Sequence, residues 1–187
     1  MIRKIRRETV RRGRSRARGR VRPSQHVVRD ALFNSLAARV DGARVLDLFA
    51  GTGSLGLEAL RRGASLAVFV ERSGPLADGI RAQLTAEGFA GRAEVWRRDA
   101  LGAIRELGST RRQFDIVITD PPYGEDWIPR VLRALASVDV LMTSGVAVAE
   151  GHWRDRFEPD PGLICYREAR YGETVLWFYR RVEGGTT

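Results

Sequence analysis

Apolar residues recur along this chain with two different periods, and the switches between them outline its architecture. Across residues 25–38, Val28, Leu32, Phe33 and Leu36 fall at helical spacing and predict an amphipathic helix. After Asp41-Gly42, short apolar runs alternate with helical stretches. Strands are predicted over 44–49, 66–70, 93–96, 114–119 and 145–149. Between and after them, helices are predicted over 54–62, 75–87, 101–107 and 128–136, the first stopped by Gly63. The rhythm then breaks. Residues 163–169 and 174–180 are strand-like runs around Arg170-Tyr171-Gly172-Glu173, which reads as a hairpin. The pattern predicts an α/β fold with a mostly parallel seven-stranded sheet carrying an antiparallel C-terminal hairpin.

Length fits this reading. A chain of 187 residues builds one domain with a substantial core. No apolar run approaches the ~20 residues of a membrane span, and the arginine-rich start lacks the apolar centre of a signal peptide. One cysteine, Cys165, allows no internal disulfide, and one Cys with two His is too few for a zinc cluster. A cytoplasmic, metal-free protein is expected.

Charge changes the picture more than composition does. The net charge is +9, yet residues 1–22 alone hold eleven Arg or Lys against one acid, Glu8. The remaining 165 residues carry 21 basic and 22 acidic side chains, so the body is close to neutral. A block of like charge repels itself and stays extended until a polyanion neutralises it. Residues 1–22 are therefore read as a basic, RNA-contacting tail with Arg18, Arg20 and Arg22 as contacts, and residues 23–187 as a single domain. Arg29, on the first predicted helix, is added to the contacts, although that helix serves chiefly to cap the sheet with its apolar face.

The loop Gly51-Thr52-Gly53-Ser54-Leu55-Gly56 satisfies G-x-G-x-x-G between a predicted strand and a helix. By spacing alone it could hold a dinucleotide pyrophosphate. Asp47, four residues before the first glycine, argues otherwise, because a carboxylate at the loop mouth repels pyrophosphate and suits the ammonium and sulfonium of S-adenosylmethionine. Gly51 and Gly53 let the backbone approach that cofactor. Glu71 ends the next strand, where a carboxylate can accept both ribose hydroxyls. Asp99 follows the third strand and is placed to read the adenine amino group. Phe49 and Ala100, beside these acids, complete the expected cofactor set. All three acids fall at strand C-termini, the rim where open α/β sheets bind ligands.

Asp120-Pro121-Pro122-Tyr123 follows the strand FDIVIT. Two prolines remove two backbone donors and stiffen an extended turn. The Asp120 carboxylate and the Pro121 carbonyl then form a pair of acceptors that match the two N–H groups of an exocyclic base amine. Such hydrogen bonds orient the nitrogen toward the methyl and favour its pyramidal, nucleophilic form. Tyr123 is positioned to stack on a base that has left its helix. Nothing in this motif distinguishes one aminated base from another.

These segments together resemble a known family. R-P-S-x-x-x-V-R-D-A-L-F-N (residues 22–34), V-L-D-L-F-A-G-T-G-S-L-G-L-E-A-L (45–60), D-P-P-Y and Y-G-E-T (171–174) resemble the bacterial 16S ribosomal RNA guanine-N2 methyltransferases, over roughly residues 18–180. The resemblance implies methyl transfer from S-adenosylmethionine to N2 of a guanine in the 16S rRNA of the small ribosomal subunit; a monomer is expected. It implies Asp47, Gly51, Gly53, Glu71 and Asp99 for the cofactor, and Asp120, Pro121 and Tyr123 for the base. Two departures stand out: Ser24 where the family usually has Thr, and an N-terminus richer in arginine.

Other readings use some of the same features. A DNA amino-methyltransferase could use the same four residues, but a separate target-recognition domain does not fit this length. Glutamine side-chain methyltransferases usually carry Asn in place of Asp120. An NAD-dependent oxidoreductase is opposed by Asp47 and lacks a visible hydride-transfer pair. A non-catalytic RNA-binding protein would need the tail but not an intact cofactor loop.

Overall fold

A computed structural model of the chain describes residues 6–9, 25–122, 126–155 and 161–182. Its elements run β1 (Arg6–Thr9), α1 (Gln25–Leu36), β2 (Arg44–Asp47), α2 (Ser54–Arg61), β3 (Leu66–Val70), α3 (Gly74–Ala86) and β4 (Ala93–Trp96). They continue α4 (Ala100–Ser109), β5 (Phe114–Thr119), α5 (Trp127–Ser137), β6 (Leu141–His152), β7 (Leu163–Tyr171) and β8 (Thr174–Arg181). Together the strands form one sheet in the order β1-β7-β8-β6-β5-β2-β3-β4.

Seven of these strands are the seven expected from the sequence; the eighth, β1, is an addition. It comprises Arg6-Arg7-Glu8-Thr9, within the segment read as a basic tail, and runs parallel to β7 at the sheet edge. Its residues show no apolar alternation, so backbone pairing alone marks it as a strand. The hairpin is as expected, joined through Gly172-Glu173 with Tyr171 opposite Thr174. It inserts with β8 against β6, so β8 is the strand that runs antiparallel to both its neighbours.

Strand alternation sends successive side chains to opposite faces. Val45, Ile116, Ile118, Val146, Val148, Leu176 and Phe178 face one way, against Val28, Leu32, Phe33 and Leu36 of α1 and Leu55 and Ala59 of α2. Ala67 and Phe69 continue that layer under α2 and α3, meeting Leu57, Leu60, Ile80 and Leu84. On the opposite face, Leu46, Val68, Val117, Ala147 and Val175 pack against Ile104 and Leu107 of α4 and Val131, Leu132 and Leu135 of α5. Helices on both faces of a mainly parallel sheet make the three-layer arrangement of open α/β folds. Burying an apolar side chain of this size stabilises the fold by roughly 1.5–3 kcal/mol.

The strand order reverses between β2 and β5, which lie side by side with Asp47 opposite Ile118. β2 leads outward to β3 and β4, and β5 leads the other way to β6. Carboxyl ends of strands diverge at such a switch point and leave a crevice. The glycine loop after β2 and Asp120 after β5 both open into it.

Candidate functional site

Two features lock the glycine loop in place. Gly53 takes φ +83° at the start of α2, a left-handed conformation that favours glycine, and its N–H donates to the Ala50 carbonyl at 2.7 Å. At Gly56 an added Cβ would lie 2.2 Å from the Phe69 ring, so the absence of a side chain lets α2 press onto β3. The loop's first turn is therefore held at a fixed height above the sheet.

Glu71, 9% exposed, is the strut of this loop. Its Oε2 accepts from the Gly51 N–H at 2.8 Å and its Oε1 from the Ser73 N–H at 2.7 Å. Each carboxylate oxygen keeps a second lone pair for a ligand hydroxyl. Asp99 caps α4, its Oδ1 accepting from the Gly102 N–H at 2.8 Å. Phe49 meets Trp127 edge-on, with ring centroids 5.5 Å apart.

These groups surround a cavity of about 380 Å3. It is walled by apolar Leu48, Val70 and Leu76, and bordered by Phe49, Gly51, Glu71, Asp99, Ala100 and Asp120. The volume lies within the roughly 300–1,000 Å3 of pockets that take drug-sized ligands. A second cavity, of about 450 Å3, lies on the α1 side of the loop. His26 and Arg29 of α1, Thr52 and Ser54 of the loop, and Glu150 of β6 line it. Phe49, Gly51 and Asp120 border both cavities, so the two spaces meet at the end of β5.

Asp47 and Gly53 line neither space. Asp47 is 1% exposed and sits beneath the loop, its Oδ2 accepting from the Gly56 N–H at 3.1 Å. Its Oδ1 is buried without a hydrogen-bond partner. Burial pushes the Asp47 carboxyl up to about 7; the Gly56 hydrogen bond opposes that rise, and the charges of Asp120 and Glu71 add to it. Three carboxylates thus converge at the switch point, and their mutual repulsion is relieved by a cation. Carboxyl acceptors of this kind suit an ammonium and a sulfonium, and the glycine loop, Glu71 and the apolar walls suit the remainder of S-adenosylmethionine.

Of the other expected residues, Pro121 is buried and Pro122 borders the first cavity. Tyr123, Arg18, Arg20 and Arg22 lie outside the described residues. Arg29 lines the second cavity and donates to His26 Nδ1 at 3.0 Å. Sequence reasoning missed Trp127, His26 and Glu150. A signal for Glu150 was present: it directly follows the predicted fifth strand, the placement that singled out Asp47, Glu71, Asp99 and Asp120. Among the described residues there is no cluster of metal-ligating side chains and no helix long and apolar enough to cross a membrane.

Sheet order, switch-point crevice and glycine loop are those of the Rossmann-like methyltransferases. The chain superposes with TM-score 0.76 on a structure described as putative methyltransferase yhhF from Escherichia coli, at 28% identity and covering 86% of this chain and 89% of that one. A family profile described as Conserved hypothetical protein 95 matches residues 11–180. The putative rRNA methyltransferase YlbH of Bacillus subtilis is 33% identical over 162 residues, 86% of this chain and 88% of that protein. Ribosomal RNA small subunit methyltransferase D of Escherichia coli is 30% identical over 158 residues, 79% and 78% of the two chains. The chain belongs to this family, that of the small-subunit ribosomal RNA methyltransferase D proteins.

Proposed function

We propose that the protein transfers a methyl group from S-adenosylmethionine to the N2 amine of a guanine in the 16S rRNA of the small ribosomal subunit, in the cytoplasm. The observation that carries this reading is that Asp120 borders two cavities, of which the first would take the cofactor and the second the base. Relatives named as ribosomal RNA methyltransferases support RNA as the substrate.

When bound, S-adenosylmethionine supplies a methyl group on a positive sulfonium, ready for in-line attack. Glu71 would hold the ribose hydroxyls while keeping its bonds to Gly51 and Ser73. Asp99 and Ala100 would border the adenine, and Phe49 and Trp127 line the same cavity. Asp47 keeps the loop seated by accepting the Gly56 N–H beneath it. On the other side, the Asp120 carboxylate and the Pro121 carbonyl each accept one N–H of the base amine, and Tyr123 stacks on its ring. The bound cofactor would supply the methyl that N2 accepts, with Asp120 and Pro121 holding the amine in place. N2 then loses one proton to the Asp120 carboxylate, which returns it to solvent. Positioning and electrostatics supply the acceleration. The arginine-rich tail meets phosphates and adds affinity without reading sequence.

The test is methyl transfer from labelled S-adenosylmethionine to unmodified small subunits, with free rRNA and duplex DNA beside them, followed by nucleoside analysis. Label in N2-methylguanosine is the expected result. Label in a different aminated base would keep the chemistry and discard the guanine. Absence of label from every substrate, with cofactor bound, would overturn the reading.

A further inference from the structure

The acceptor pair Asp120–Pro121 fits any exocyclic amine, so the choice of base must be made elsewhere in the second cavity. We infer that Glu150, on the strand beside Asp120, is the specificity residue that selects guanine by accepting its N1–H. The inference rests on the base-methylation reading above and adds to it the group that reads the base.

Register places Glu150 there. Thr119 of β5 pairs with Ala149 of β6 in parallel, one strand spacing of about 4.8 Å apart, and Asp120 and Glu150 are the residues that directly follow this pair. Facing is fixed by alternation. Val146 and Val148 pack on the α1 layer, and so do Ile116 and Ile118. Two residues further on, Glu150 and Asp120 continue those rows toward α1, and both line the second cavity. Glu150 is half-buried there. Across from it, α1 contributes Arg29, whose guanidinium has five N–H donors, one of them engaged by His26 Nδ1.

This arrangement matches one base edge. In guanine the amine is flanked by N1–H, a donor, and beyond it lies O6, an acceptor. With N2 on Asp120 and Pro121, a carboxylate one strand over accepts N1–H, and Arg29 supplies donors for O6. In adenine and cytosine the ring nitrogen beside the amine is an acceptor. A carboxylate facing that lone pair is repelled by it, and neither group is satisfied. A site built around a hydrogen-bonded group rejects analogues lacking it far more strongly than a merely apolar pocket does. A carboxylate has about four lone-pair sites, so Glu150 can serve a base and a protein neighbour together.

The test uses reconstituted small subunits whose target position carries guanine or 2-aminopurine, which keeps the N2 amine but has an acceptor at N1. Methyl transfer is measured with the wild-type protein and with the Glu150→Gln and Glu150→Ala variants, alongside S-adenosylmethionine affinity. The wild-type protein is expected to prefer guanine by about 100-fold in kcat/KM, the weight of a charge-assisted hydrogen bond. Both variants should lose about tenfold or more of that preference, with cofactor affinity unchanged. The near-isosteric Gln variant carries the test if the Ala variant does not fold. Equal use of the two bases by the wild-type protein would overturn the inference, and so would an undiminished preference in active variants. Label in neither substrate with the wild-type protein would instead remove the base-methylation reading, and this inference with it.

Discussion

The two cavities that meet at Asp120 are built on different terms. In the first, acids are harnessed by the protein itself: Glu71 holds two backbone N–H groups and Asp99 caps a helix, while the walls are apolar. In the second, charges of both signs, Arg29 and Glu150 with His26 nearby, face a shared space. A cofactor that is the same in every turnover is met by a rigid loop with its hydrogen bonds already set. On the proposed reading, a nucleotide that has left its stack would meet charged side chains from α1 and β6. Asp120, which borders both cavities, is on that reading the one carboxylate shared by the two reactants.

The largest effect that breaks this comparison comes from the shared residue. Asp120→Ala should lower single-turnover methyl transfer about 10³-fold, as loss of a preorganised transition-state partner does, with cofactor affinity within about threefold. Loss of cofactor binding instead would assign Asp120 to the first cavity alone. Glu71→Ala should raise the cofactor dissociation constant about 10- to 100-fold by calorimetry, since charge-assisted hydrogen bonds are removed and Gly51 is released. Guanine preference should not change.

Smaller effects sharpen the picture of the loop. Gly56→Ala forces a methyl against the Phe69 ring, and overpacking of this kind costs about 1–3 kcal/mol, visible as a lowered midpoint in thermal or urea unfolding. Asp47→Asn should act in the opposite sense on the ligand-free protein. A carboxyl raised to about 7 binds its proton more tightly when folded than unfolded. Its contribution therefore favours the fold in acid and turns against it as pH rises from about 4 to about 7. The Asn variant should melt about 3 °C or more above the wild-type protein at pH 8, with the gap closing toward pH 5. A gap that does not change with pH would mean that Asp47 is not held protonated by its surroundings.

Much of this was legible in the residues themselves, and the exceptions have physical causes. Strands β3, β4 and β5 coincide with their predicted bounds because β3 and β5 are short, mostly β-branched or aromatic runs and β4 carries Val95 and Trp96 between turn segments. β6 was read as 145–149 but spans Leu141–His152. Its outer residues Thr143 and Ser144 are polar and exposed, and its far end owes its extended form to pairing with β8. That unread extension carries Glu150. β1 was invisible because Arg6-Arg7-Glu8-Thr9 carries a charge pattern and no apolar one. For the site, spacing located Phe49, Gly51, Glu71, Asp99, Ala100 and Asp120 along the first cavity. It could not tell that Asp47 would turn beneath the loop toward Gly56 instead of lining the space above it. The α1 helix caps the sheet with its apolar face, as its periodicity suggested, while Arg29 on its polar side reaches the second cavity.

The most direct test of the account is a structure of the protein with S-adenosylhomocysteine bound. The account predicts the ribose on Glu71, the adenine between Asp99–Ala100 and the apolar wall, and the sulfur directed past Phe49 toward Asp120 and the second cavity. A cofactor seated among His26, Arg29 and Glu150, or a sulfur directed away from Asp120, would contradict it.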